Sequence, residues 1–196
     1  MNLGLTAGYG NGGFHGDPCA TSVNPSEVAE VERIALGKRP ATIGALANTH
    51  GALPAAVLDA LWGCDLVVHA GDIGENATLA ALAAEGPLVA VRGNSDRRPP
   101  FSELPDAVEI TVGATRILAV HNHAALAWSP AERGFQVVIS GLWHQPSVTT
   151  REGVMVVSPG SAAPGWPGMP VSIARVRVSD SGVEPTIVRI EPAPTP

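Results

Sequence analysis

The sequence predicts an α/β fold in which two β-sheets stack with helices outside them, a four-layer αββα sandwich. Two observations predict it. Short apolar runs alternate with segments of helical composition in the first half, at the lengths of α/β crossovers. The second half switches to paired apolar runs around tight turns, the pattern of hairpins.

Residues 1–23 contain six glycines and few large apolar residues. They bury too little surface to offset ordering entropy and read as a flexible tail. Asn24-Pro25-Ser26-Glu27 carries helix-start signals, with Asn24 as N-cap, Pro25 at the first helical position and Glu27 in the capping-box place. The spacing therefore predicts a short helical extension over residues 24–40, with Val28, Val31, Ile34 and Ala35 as its apolar stripe and Gly37 as its stop.

Residues 41–190 read as one domain. Thr42 to Ala47, Leu66 to Ala70 and Leu88 to Val91 are predicted buried strands, separated by helices over Pro54 to Leu61 and Asn76 to Ala84. This makes the first half a parallel, right-handed α/β unit. Val108 to Val112 pairs with Arg116 to Val120, and Val171 to Val178 with Val183 to Ile190, which predicts a second, more antiparallel sheet. The Pro-rich end, residues 191–196, should fray.

The formal net charge is -6, and the arginines form no basic run, which argues against a nucleic-acid partner. No stretch approaches the roughly 18 apolar residues of a membrane span. Cys19 and Cys64 match no metal or redox spacing and no secretory start is visible, so the expected compartment is the cytoplasm.

The chemistry-bearing residues follow the predicted strands: Asn48 and His50, Asp72, Asn94, His121 and His144. Ligands in open α/β sheets bind outside the carboxyl ends of strands, so residues far apart in sequence can share one site. Imidazole, carboxylate and amide oxygen suit divalent Mn, Fe, Zn or Ni, and two such ions can clamp a phosphate and acidify a water. His121 and His123 alternate along a strand end and point to opposite sides, and His121 is the one expected to face the site. His69 reads as a buried residue under a helix rather than as a ligand. Asp96 is expected to orient its own loop or a ligand histidine.

In order, Asn48-Thr49-His50, Gly71-Asp72, Gly93-Asn94-Ser95-Asp96, His121, Gly141-Leu142-Trp143-His144 and Ser158-Pro159-Gly160-Ser161 resemble the motifs of calcineurin-like metallophosphoesterases, particularly the small bacterial phosphodiesterases. The resemblance covers roughly residues 42–190. It implies a divalent-metal hydrolase, with one or two ions, acting on a phosphate ester through a metal-activated hydroxide. One metal would take Asn48, His50, Asp72 and His144. The other would take Asp72, Asn94, His121 and position 142. Asp72, Asn94 and His121 would be the catalytic set, with Ser95, Asp96 and His123 around them.

Two positions depart from the family pattern. Asn48 stands where an aspartate is usual, and Leu142 where a histidine is usual. Ser95 replaces the histidine that serves many relatives as leaving-group acid, and a hydroxyl titrates too high to substitute for it. These departures imply an impaired dinuclear site. The alternative they raise is a catalytically inactive binding scaffold with a protein partner, similar to the retromer subunit of this superfamily.

Overall fold

The computed structural model describes residues 31–37, 39–164 and 168–191. In chain order its strands are β1 (Glu32–Leu36), β2 (Ala41–Leu46), β3 (Leu66–His69), β4 (Leu88–Ala90), β5 (Ala107–Val112), β6 (Thr115–Val120), β7 (Val137–Ser140), β8 (Ser147–Arg151), β9 (Val154–Ser158), β10 (Val171–Ser179) and β11 (Gly182–Ile190). The helices are α1 (Ala55–Leu61) and α2 (Asn76–Glu85).

One sheet has the order β11-β10-β2-β3-β4 and the other β1-β5-β6-β7-β9-β8. Their stacking follows from side-chain alternation. Ile43, Ala45, Leu66 and Val68 of the first sheet join Ile110, Ile117, Ala119 and Ile139 of the second in a shared core. The intervening Leu46 and Val67 turn the other way and pack with Val57 and Leu61 of α1 and Leu82 of α2. On the far face of the second sheet, Leu118, Val120 and Val138 pack with Phe135 and Trp128. That outer layer is built from loop and a 3-10 turn at His123–Ala125, whereas α1 and α2 cover the first sheet.

Three sequence expectations change. Residues 32–36 form a strand rather than the end of a helix, because β5 offers a parallel partner and pairs with β1 throughout it. Ile34 and Leu36, two apart, then reach the shared core, which a strand's period permits. Residues 24–30 lie outside the described residues, as do the whole predicted tail and 192–196. The second sheet is mixed, since β1–β5, β6–β7 and β7–β9 are parallel while β5–β6 and β8–β9 are antiparallel. The β10–β11 hairpin belongs to the first sheet, where β10 runs antiparallel to β2. Among the described residues no helix is long and apolar enough to cross a membrane.

Candidate active site

The loops after β2, β3, β4, β6 and β7 converge on one open cavity of about 480 Å³. His50, Asp72, Asn94, His121 and His144 all line it, with Ser95, Leu142 and one residue that sequence reasoning passed over, Arg97. The signal for Arg97 was available, because it follows Gly93-Asn94-Ser95-Asp96 directly and shares that loop.

The backbone at these loop tips is unusual. Asn48, His50 and Asp72 have φ of 58°, 44° and 60°, a region that non-glycine residues seldom enter and that concentrates at functional sites. Hydrogen bonds hold them there. Asn48 N–H donates to Gly71 O at 3.0 Å, and His50 N–H donates to Asp72 O at 3.0 Å. Buried Asp96 accepts from the backbone N–H of Asp72 (2.8 Å), Ile73 (3.0 Å) and Gly93 (2.8 Å), tying the β3 and β4 loops together. Gly93 lies so close to Asp72 that a Cβ there would collide with the Asp72 amide and carboxylate.

Asp72 is the centre of the arrangement. Its Oδ1 accepts from the backbone N–H and from the hydroxyl of Ser95, both at 2.8 Å. Its Oδ2 lies 3.7 Å from Nε2 of His121 and 3.9 Å from Nε2 of His50. Burial acts to raise the Asp72 pKa, but His121, the two Ser95 bonds and His50 outweigh it and hold the carboxyl below its ordinary value.

His121 has its proton placed by a neighbour. Its Nδ1 lies 2.8 Å from the carbonyl oxygen of Ala70, which can only accept, so Nδ1 carries a hydrogen and Nε2 is the nitrogen turned to Asp72. His144 stacks on His50 with ring centroids 5.9 Å apart and planes 7° apart. Its pKa is lowered by burial and by His50, and Asp72 opposes this only in part.

These groups fit a divalent cation as a partial set. The His121–Asp72 gap of 3.7 Å exceeds an N–H···O hydrogen bond and is the separation of two donors that share one cation. Asn48 adds a second sign. Its Nδ2 donates to the carbonyls of Gly141 (2.7 Å) and Gly160 (3.2 Å), which leaves Oδ1 buried with no hydrogen-bond partner. Yet among the described residues no three His, Cys, Asp or Glu side chains form a group that could hold one ion.

Several expectations need correction. Asn48 is fully buried and is not among the residues lining the cavity, because its amide ties the loops around Gly141 and Gly160. His123 turns away from the site. Its Nδ1 bonds to the Ser140 hydroxyl at 2.8 Å, and it lines a separate cavity with Trp128 and Arg151. Ser140 in turn donates to the carbonyl of His121, so His123 reaches the site only through that link. Trp143, next to Leu142 in sequence, is 53% exposed and is not among the residues lining the cavity. His69 is fully buried and held neutral, its pKa lowered to about 3 by burial.

The comparisons with known proteins agree with this geometry. Residues 42–181 match the model of the calcineurin-like phosphoesterase superfamily domain, which is most of the chain. The chain belongs to the calcineurin-like phosphoesterases. A protein of Methanocaldococcus jannaschii named a probable metallophosphoesterase is 31% identical over 159 residues, covering 76% of this chain and 81% of the relative. Among solved structures, a predicted phosphoesterase from Streptococcus pneumoniae superposes with a TM-score of 0.61 at 23% identity, covering 78% of this chain and 91% of that one. Vacuolar protein sorting 29 from Cryptosporidium parvum gives 0.62 at 15% identity, covering 79% and 100%. At these identities the two structures speak for the calcineurin-like phosphoesterase fold. Membership of the family supports phosphoesterase function in general, and the family generally uses divalent metals.

Proposed function

We propose that this protein is a metal-dependent phosphoesterase, hydrolysing a phosphodiester or phosphomonoester, with an impaired dinuclear site that holds about one divalent ion tightly. The observation that carries the reading is Asp72 Oδ2 set between the Nε2 atoms of His121 and His50 at 3.7 and 3.9 Å. By the family resemblance His50, Asp72 and His144 would hold the first ion beside Asn48, and Asp72, Asn94 and His121 the second, although His50, Asp72 and His144 do not close on one point among the described residues. Bound there, Mn, Fe, Zn or Ni would supply Lewis acidity and lower the pKa of a water.

The chain's own residues supply the rest. Asp72 stays ionised at neutral pH and faces the imidazoles, while Ser95 keeps its orientation. Ser95 cannot serve as leaving-group acid, because its one hydroxyl hydrogen is directed at Asp72. Impairment follows from Leu142, which lines the cavity without a donor atom, and from Asn48, whose neutral amide replaces an anion.

The test is metal content after purification coupled to hydrolysis of an aryl phosphodiester with and without Mn²⁺. Turnover that chelation abolishes and Mn²⁺ restores is the expected result. The second reading, an inactive scaffold with a protein partner, is favoured by the same Leu142. Bound metal without turnover on any aryl ester would select it.

A further inference from the structure

We propose that Arg97 is the phosphate-recognising residue of this pocket and that it selects a phosphate monoester over a diester, an inference that rests on the phosphoesterase reading above. Arg97 is the sole lysine or arginine among the residues lining the cavity, and Asp72 is the sole carboxylate. Its Nε donates to the carbonyl of Asn94 at 2.9 Å. Nε lies at the root of the guanidinium, so this bond fixes the plane of the group beside Asn94 and leaves the four N–H of the two Nη atoms as a fork.

That fork matches two oxygens of one phosphate, where paired charge-assisted bonds exceed neutral ones in strength. The number of charges on the ester then decides selectivity. A monoester carries close to two negative charges on three terminal oxygens near neutral pH, whereas a diester carries one charge on two. With Asp72 as the one carboxylate among the lining residues, little negative charge opposes an entering dianion. A fixed guanidinium therefore gains more from the dianion. In the reaction a water oxygen forms the new bond to phosphorus and the ester P–O bond breaks. The leaving oxygen takes a proton that originates from the water, and the products are an alcohol and inorganic phosphate.

Arg98 provides an internal control, because it is also exposed and carries the same charge but does not line the cavity. The experiment measures kcat/KM on para-nitrophenyl phosphate and on bis(para-nitrophenyl) phosphate, with Mn²⁺, for wild type, Arg97→Ala, Arg97→Lys and Arg98→Ala. Arg97→Ala should lose about tenfold on the monoester and less than about threefold on the diester. Arg97→Lys should recover the monoester only in part, since an ammonium keeps the charge but not the fork. Equal losses on both esters, or the same loss in Arg98→Ala, would overturn the proposal.

Inorganic phosphate binding, measured by equilibrium dialysis with Mn²⁺, separates this proposal from the catalytic reading. If wild type hydrolyses neither ester, the catalytic reading fails. Arg97 is then still supported by phosphate binding that Arg97→Ala weakens about tenfold and Arg98→Ala leaves intact. Binding that is absent in wild type, or unchanged in Arg97→Ala, overturns it.

Discussion

Ser95 holds the Asp72 carboxylate with two bonds to one oxygen, its backbone N–H and its hydroxyl each donating to Oδ1 at 2.8 Å. The other oxygen is thereby left to face His50 and His121. A serine in this place is a positioning residue, and its hydroxyl hydrogen is not available to a leaving group.

Esters with good leaving groups should accordingly be hydrolysed much faster than alkyl esters. An aryl oxide needs little protonation, whereas an alkoxide lacks the acid it requires. An aryl rate about 100-fold or more above the alkyl rate is expected, in line with the usual worth of general acid catalysis. Comparable rates would place an unidentified proton donor at the site. Ser95→Ala should lower kcat by roughly threefold to tenfold while the backbone bond persists, on the usual energy of one hydrogen bond.

Restoring the usual aspartate at position 48 should destabilise the protein. Asn48 donates to two buried carbonyls, and a carboxylate would set negative charge against both of those oxygens. Urea unfolding of Asn48→Asp at neutral pH should show a loss of about 1–3 kcal/mol. An unchanged midpoint would mean that the loops around Gly141 and Gly160 do not depend on the amide.

Leu142→His should act in the opposite sense on metal. Leu142 already lines the cavity with His121 and Asn94, and Trp143 does not. An added imidazole should tighten Mn²⁺ or Zn²⁺ binding by about tenfold or more, the scale on which a supporting interaction at a metal site acts. Titration calorimetry on both proteins measures it.

His69 predicts a pH dependence of stability. Its folded pKa lies at about 3 against an ordinary 6.5, so below 6.5 the unfolded chain binds a proton that the folded chain refuses. Stability should fall as pH drops from 6.5 towards 3, with a slope of about 1.4 kcal/mol per pH unit from this group. His144 and His123, whose values are also lowered, add to the same trend. Unfolding curves for wild type and His69→Gln should show the slope reduced in the variant.

Much of this fold was legible in the sequence because its signals are local. The strand–helix–strand runs of residues 41–91 and the turns at Gly113 and Ser179 to Gly182 mark themselves by composition. Strand β1 was not legible, since Ile34 and Leu36 fit a strand only once β5 provides a partner 76 residues away. The placement of β10 beside β2 was hidden for the same reason.

At the site, the motif order located His50, Asp72, Asn94, His121 and His144, all of which reach one cavity. It could not show that Asn48 uses its amide to tie loops, because those partners lie 93 and 112 residues away. For His123 strand alternation gave no hint of its bond to Ser140, 17 residues away.

Asp72 carries the proposed function, as the carboxylate that would gather the metal. The deciding measurement is Mn²⁺ binding and Mn²⁺-dependent hydrolysis of an aryl phosphate by wild type and Asp72→Asn, with far-ultraviolet circular dichroism to verify that the variant folds. Metal-dependent turnover is expected in wild type, and in folded Asp72→Asn a loss of tight binding together with a fall in turnover of about 100-fold or more. Folded Asp72→Asn that binds Mn²⁺ and turns over like wild type would contradict that role.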